Sequence, residues 1–367
     1  MGQRLADYTM SMLRVEVHKG RELFPKLKSS WQELVRSSSD ATPFQTFEWH
    51  ETWWQYYCGL KEPIVITLWD QDQLVGLMPL TRTRGVWRAL RPMGMGPSDY
   101  LHPLSADGYE QQGARSIAEW LKGSKGVDLI DLHQVRETRP LVQSFPCLTL
   151  EQATCLVLEL PTTYEAYLET LSKSLRYDVR KLDKSLFKTG RAQIEEVGPD
   201  RISEGMDILF EQHKLRWRKR GLPGAFLGKG IAFHKEWAAK ASANGWLWLS
   251  ILRVDGEPIG AIYAMAMGKT AYYYQAGFDP SKGAVSPGTL LVAYTIRRAI
   301  DAGMSHFDFM RGDEPYKRRW KPQLCHRNLR LIAPSHNLRG ELGSTWNQAG
   351  SKVESRVRAR LEGKGLI

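Results

Sequence analysis

The stretch "HFDFMRGDEPYKRRW", residues 306–320, gathers the side chains best suited to proton transfer and anion binding. Asp308, Asp313 and Glu314 can accept a proton, Tyr316 can donate one, and Lys317 can stabilise an oxyanion or bind a phosphate. Arg311 and Trp320 can orient and pack these groups. The same residues also have plain structural uses. Asp308 can pair with Arg311, Asp313 and Glu314 can shape the turn before Pro315, and Lys317, Arg318 and Arg319 can be a solvated run.

Further candidates lie upstream. In "ISEGMDILFEQHKLRWRKRG", a three- to four-residue spacing puts His213, Arg216 and Trp217 on one helix face. The unit "YYYQAGFDPSKGAVSPGTLLVAYTIRRAIDAG" reads as a strand, a loop and a helix, whose first turn offers unpaired N–H groups around Gly288 and Thr289. Such a terminus suits a pyrophosphate, although Ser and Pro there are also simple capping residues. The P-loop, HExxH and GxSxG patterns are absent, and "GMGPSD" lacks the third glycine and the preceding strand of a dinucleotide loop. Cys58, Cys147, Cys155 and Cys325 form no C-x-x-C pair and no zinc spacing, which fits free thiols in a reducing compartment and no metal centre.

The elements that must position these residues follow from periodicity. Helices are expected over "SSWQELVRS", "TFEWHETWWQYYC", "EQQGARSIAEWLKGSKG", "KGIAFHKEWAAKASANG" and "SPGTLLVAYTIRRAIDAG". Strands are expected in "PIVITLWDQDQLVGLMPLTRTR", "VDLIDLH", "WLWLSILRVDGEPIGAIYAMAMGKTAYYYQAGFD" and "HFDFM". The longest helical pattern is "TTYEAYLETLSKSLRYDVRKLDKSLFKTG", with Tyr167, Leu171, Leu175, Val179, Leu182 and Leu186 on one face. Arg176, Arg180, Lys184 and Lys188 line a neighbouring face, either as a solvated stripe or as phosphate-steering cations at a cleft. Two segments match later ones in the same order: "DQDQLVGLMPL" with "VDGEPIGAIYA", and "AEWLKGSKGVDLIDL" with "IRRAIDAGMSHFDFM". The chain therefore reads as an internal duplication with units about 180 residues apart.

With 367 residues and 42% hydrophobic content, two folded units are expected. The net charge of +11 favours an anionic partner without specifying one. No signal-peptide core and no span of about 18 apolar residues is present, so a cytoplasmic protein is expected.

The order of basic helix, "HKEWAAKASANGWLWLSILRVDGEPIGAIYAM", "YYYQAGFDP" and "SPGTLLVAYTIRRAIDAGMSHFDFMRGDEPYKRRW" resembles the acetyltransferase domain of CelD-like proteins, named for cellulose biosynthesis. That domain belongs to the GNAT superfamily and is related to the Fem peptidyltransferases. The resemblance covers residues 160–335, and the first half more loosely through "FQTFEWHETWW" and "GPSDYLHPL". It implies an α/β (α+β) fold of tandem GNAT-like units, each a mixed, mainly antiparallel sheet flanked by helices. The units would span residues 1–155 and 156–335, ahead of a basic tail, 336–367.

What the resemblance implies chemically is acyl transfer from a thioester, usually acyl-coenzyme A, to an amine of a sugar, amino acid or related metabolite. The co-substrate would contact Gln275, Ser286, Gly288 and Thr289. The base would be Asp313, Glu314 or Asp308, with Tyr316 protonating the thiolate and Lys317 at the oxyanion. Acceptor contacts would come from Asp99, Tyr100, Arg176, His213, Arg216, Trp217, Arg311 and Trp320. The loop "KGAVSPGT" differs from the usual [QR]-x-x-G-x-[GA], so an acyl carrier protein or an aminoacyl-tRNA stands beside coenzyme A as donor. No DNA partner is expected. A non-catalytic scaffold for polysaccharide synthesis is the reading from another class.

Overall fold

The structure is a computed structural model that describes residues 12–335 and 337–363. The first half runs β1 (Arg14–Lys19), α1 (Leu23–Arg36), α2 (Phe47–Tyr57), β2 (Glu62–Asp70), β3 (Gln73–Arg84), β4 (Arg88–Pro92), β5 (Leu104–Ser105), α3 (Glu110–Lys122), β6 (Leu129–Arg136), α4 (Pro140–Ser144) and β7 (Leu148–Glu159). After α5 (Tyr164–Thr170) and α6 (Lys173–Leu182), the pattern returns as β8 (Ala192–Glu196), α7 (Ile202–Arg218), α8 (Lys229–Ala243), β9 (Leu247–Val254), β10 (Glu257–Met267), β11 (Thr270–Phe278), α9 (Pro287–Asp301), β12 (His306–Arg311), α10 (Pro315–Arg318) and β13 (Leu324–Pro334). A last helix, α11, spans Leu338–Gly363. Strand, two helices, three strands, helix and two strands thus occur twice, as the local sequence matches anticipate.

The described strands form one sheet in the order β1-β2-β3-β4-β6-β13-β7-β12-β11-β10-β9-β8, with β5 beside β3. Each half contributes an antiparallel run closed by a parallel pair, β4 with β6 and β11 with β12. The order also reveals an exchange. β7 follows β6 in the chain but pairs with β12, and β13 follows β12 but pairs with β6. β7 and β13 then pair with each other over Leu148–Val157 and Leu324–Ile332. Residue 155 lies within β7, so the two halves are sewn together where they meet.

Side-chain pattern explains the layers. Trp31, Phe47 and Trp49 of α1 and α2 and Phe233 and Trp237 of α8 are fully buried in a core shared by both halves. Trp49 sits edge-on against Trp237 at 4.9 Å and against Phe233 at 5.1 Å, the favoured geometry for aromatic pairs. A second core joins α5, α6 and α9 to the second half of the sheet. The long helical pattern before β8 breaks in two, because Leu171 is extended and Ser172 caps α6 by accepting from the Leu175 N–H. Its apolar face is nevertheless as expected: Tyr167, Leu171, Leu175, Val179 and Leu186 are buried.

One buried charge cluster holds the seam. Asp131 on β6 receives Arg330 of β13 at 2.6 and 3.0 Å, Arg91 at 3.1 Å and His133 at 3.0 Å. Burial alone would raise the Asp131 carboxyl, but bonds from His133 and Arg330 hold it well below the usual carboxylate range. A depressed carboxyl contributes stability above its unfolded value of about 4 and loses it as pH falls toward the folded value. Asp131→Ala would leave Arg330 buried without its partner. It is expected to lower unfolding free energy by about 3–5 kcal/mol in urea melts at pH 7, a difference that shrinks as the wild type is acidified below pH 4.

Candidate active site

The site begins where two strands part. β11 and β12 pair in parallel from Thr270↔His306 to Tyr272↔Asp308 and no further. Past that point the ladder of β12 against β7 shifts register between Asp308 and Arg311, and Met310 takes a left-handed φ of 61°. The β10–β11 ladder also shifts, so that Tyr274 becomes an extra residue in β11. The diverging segments Tyr273–Ala276 and Phe309–Arg311 then enclose a cleft of about 350 Å³. Its other walls are Arg216, Trp217 and Arg220 on and just after α7, the turn Glu314–Lys317, and Asp99 from the first half.

Close approach fixes α7 over this opening. A Cβ on Gly277 would lie 2.2 Å from the His213 backbone nitrogen, so only glycine lets β11 touch the helix there. His213 is buried beside Trp217, and burial followed by the Arg216 charge lowers its imidazole to about 4, against a hydrogen bond with Gln275. The ring is therefore neutral at physiological pH.

The first half supplies one wall. Asp99 Oδ1 lies 2.6 Å from Arg311 Nε, and its Oδ2 accepts from the Arg311 N–H at 3.2 Å. Arg311 also donates to the Gly96 carbonyl at 3.0 Å, and the Tyr274 hydroxyl to that of Pro97 at 2.7 Å. Beneath the cleft, the Tyr100 hydroxyl donates to Asp308 Oδ2 at 2.7 Å, while Asp308 Oδ1 accepts from the Met310 N–H at 2.7 Å. Asp308 is 2% exposed, and burial pushes its carboxyl up despite Arg136 and the Tyr100 bond.

Tyr316 faces the cleft with its hydroxyl engaged by Tyr273 and Arg216; burial and then Glu314 raise it to about 12. It is a protonated phenol at neutral pH. Lys317 is 3% exposed, and its ammonium donates to the carbonyls of Arg311 at 2.9 Å and Gly312 at 3.1 Å and pairs with Glu314 at 2.9 Å. Two carbonyls of the turn thus take hydrogen bonds from the ammonium, and Glu314 balances its charge.

Of the residues singled out in the sequence, Asp99, Arg216, Trp217, Gln275, Arg311, Glu314, Tyr316 and Lys317 meet in this cleft. Tyr100 and Asp308 lie under it. Asp313 forms a bidentate pair with Arg318 and Arg176 binds Glu169 of α5, and neither lines the cleft. Trp320 is buried in the second core, its carbonyl accepting from Tyr167 at 3.0 Å. Ser286 precedes the first turn of α9, which holds Gly288 and Thr289, and all three are outside the cleft lining; contrary to expectation the Thr289 N–H is not unpaired but bonds the Ser286 carbonyl at 2.9 Å. That turn abuts the cleft through Phe278, which packs on Gly288 and carries the Arg216 guanidinium 4.9 Å above its ring. Sequence reasoning missed Arg220, Tyr273, Tyr274, Phe309 and Met310. A signal existed for Arg220, which lies one turn beyond Arg216.

The family described as Acetyltransferase (GNAT) domain matches residues 173–318. The crystal structure of FemX is similar at a TM-score of 0.61 and 10% identity, covering 84% of this chain and 96% of that one. The structure of L-PGS from Bacillus licheniformis is similar at a TM-score of 0.54 and 13% identity, covering 91% and 97%. The C-terminal domain of a putative lysylphosphatidylglycerol synthetase from Agrobacterium fabrum gives 0.53 and 12%, covering 84% and 92%. These structural likenesses concern the fold. No curated protein matches the sequence. Residues 173–318 thus match a GNAT acetyltransferase domain, within a chain of mixed, mostly antiparallel α/β fold.

Replacing Lys317 and Tyr316 separates structure from chemistry. Lys317→Ala leaves two carbonyls and Glu314 without their cation and is expected to cost on the order of 3 kcal/mol and to lower the melting temperature by several degrees. Tyr316→Phe keeps the ring packed and is expected to leave the melting temperature within about 2 °C. Differential scanning calorimetry of both variants distinguishes these outcomes.

Proposed function

We propose that the protein is an acyl-CoA-dependent N-acyltransferase, moving an acetyl or related acyl group to the amine of a sugar, amino acid or similar metabolite. The observation that carries this reading is the wedge between β11 and β12, which brings Glu314, Tyr316 and unpaired strand edges to one cleft inside the matched domain. In this reading residues 156–335 do the chemistry, and residues 1–155 close the acceptor side through Asp99.

The thioester carbonyl enters the wedge, where β11 backbone N–H groups on the edge that has left β12 stabilise the oxyanion. The acceptor amine attacks the carbonyl carbon and gives its proton to Glu314, directly or through one water. Collapse of the tetrahedral intermediate expels the thiolate, which takes a proton from Tyr316; solvent reprotonates the phenolate. The products are an amide and free coenzyme A. Lys317 acts on this sequence by holding the Arg311–Glu314 turn. The first turn of α9 holds the donor's pyrophosphate.

Two assays test the reading. Titration calorimetry with acetyl- to long-chain acyl-CoAs is expected to give saturable binding, and thiol release against amino sugars and amino acids is expected to give turnover that Tyr316→Phe reduces about 10²-fold in kcat. Absence of binding across the whole donor series would overturn it. Salt-sensitive retention of aminoacyl-tRNA, with no response to acyl-CoA, would transfer the donor role to tRNA.

A further inference from the structure

The last helix turns an apolar stripe toward solvent. Leu338, Leu342 and Trp346 of α11 follow at every fourth residue, which sets them along one face, and they are 76%, 54% and 72% exposed. Backbone contact fixes that outward direction. Gly340, Gly343 and Ser344 are buried on the opposite face, where a Cβ on Gly340 would lie 2.5 Å from the Ser335 carbonyl oxygen and 2.7 Å from that of Asp128. Rolling the helix to hide the stripe would force a bulkier residue into that contact.

The turn between β3 and β4 lies alongside. Arg339 donates to the Val86 carbonyl at 2.7 Å, the Trp87 ring lies against Gly343, and the Val86 side chain is 74% exposed. Apolar tips from two neighbouring elements thus project into water, a pattern that marks an interaction surface. Cations flank them. The half-exposed Arg88 and the exposed Arg339 share one buried carboxyl, that of Asp128, and Arg82 and Arg84 at the end of β3 share that of Glu62. These ion pairs are therefore not neutral: each carboxylate faces two guanidiniums. From Lys352 onward the sequence adds five cations against two acids.

We propose that the outer face of α11, with the β3–β4 turn beside it, docks on the headgroup layer of a bilayer containing anionic phospholipid. Leu338, Leu342, Trp346 and Val86 enter the boundary between headgroups and acyl chains, and the flanking guanidiniums meet lipid phosphates. Tryptophan suits that depth, because its ring is apolar and its N–H stays in the wet layer. The helix lies on the membrane and does not cross it, since no helix of the described residues is long and apolar enough to span one. A second copy of this chain fits the face less well, because a symmetric contact would set like charges against each other. Docking of this kind does not depend on acyl transfer.

The test is flotation of the full chain with vesicles of phosphatidylcholine alone and of phosphatidylcholine with about 30% phosphatidylglycerol. The anionic vesicles are expected to bind at least about tenfold more tightly, and salt at about 0.5 M to weaken that binding. The double variant Leu342→Ser, Trp346→Ser is expected to lose affinity for them at least about tenfold, whereas Trp346→Phe retains most of it. Both positions are exposed, so melting temperatures are expected to stay within about 2 °C; should the double variant unfold, Trp346→Ser alone makes the comparison. Anionic vesicles bound no better than neutral ones overturn the docking. So does binding that the double variant keeps in full, since attraction spread over the basic chain would then account for it. Self-association seen by sedimentation without lipid and abolished in the double variant, with no vesicle binding, assigns the stripe to a second copy and overturns it as well.

Discussion

The hydroxyl of Tyr100 and the carboxyl of Asp308 meet 2.7 Å apart, both buried. One comes from the loop after β4 and the other from β12, 208 residues later. The other oxygen of Asp308 holds the N–H of Met310, so the same carboxyl ties the halves together and pins the left-handed residue that turns β12 away from β11. A non-glycine residue in that region costs about a kcal/mol or more and persists only where its surroundings over-determine it. Here Asp308 and the Arg311–Asp99 pair do so from both sides. Arg136, 4.3 Å from the Tyr100 ring, adds a cation to a node that would otherwise bury a carboxyl among apolar strands. The cleft exists because this node holds.

The exchange of β7 and β13 puts that node at the centre of the sheet. Each half extends its parallel pair with a strand the other half supplies, so separating the halves would break three ladders and expose edges of four strands. The duplicated geometry has diverged within this frame. β6 repeats the features of β12, with Asp131 buried and Gln134 left-handed at φ 56°. In the first half, however, the chain after β4 occupies the wedge: the Leu101 N–H bonds the Gln134 carbonyl at 2.9 Å, and Met93, Leu101 and His102 leave a space of only about 10 Å³. That same filling segment carries Gly96, Pro97, Asp99 and Tyr100 to the second cleft. One half has given up its own opening to build a wall for the other.

What the sequence made legible follows from how local each signal is. The amphipathic helices α1, α2, α3, α8 and α9 and the hairpins β2–β3 and β9–β10 are set by periods of 3.6 and 2 within a few residues, and all are present. Duplication was visible in two pairs of matching segments, and the turns at Gln71 and Asp255 within the first pair share a left-handed backbone. β7 and β13 were not visible. Strand β13, "LCHRNLRLIAP", buries Arg330 and Asn328, and those residues make sense only beside Asp131 and the Asp99 carbonyl, 199 and 229 residues away in sequence. At the site, residue types pointed to the right turn, but the partners that decide each role are remote. Asp99, Tyr273 and α7 reach that turn only through the fold, and Arg220 read as one more charge in "RWRKRG".

Those partners also rank the carboxylates that could take a proton. Asp313 is committed to Arg318 on the outer surface, where an acceptor bound in the cleft does not reach it. Asp308 lies in the cleft floor with one oxygen on Tyr100 and the other on Met310, so accepting a proton there would undo the turn that makes the cleft. Asp99 has both oxygens on Arg311. Glu314 lines the cleft with its side chain about a third exposed, and Lys317 pairs with one of its oxygens. A carboxylate that is steadied by a cation on one side and open on the other can gain a proton without breaking the fold. That is the physical basis for assigning the amine proton to Glu314 and for regarding Lys317 as the residue that keeps it in place.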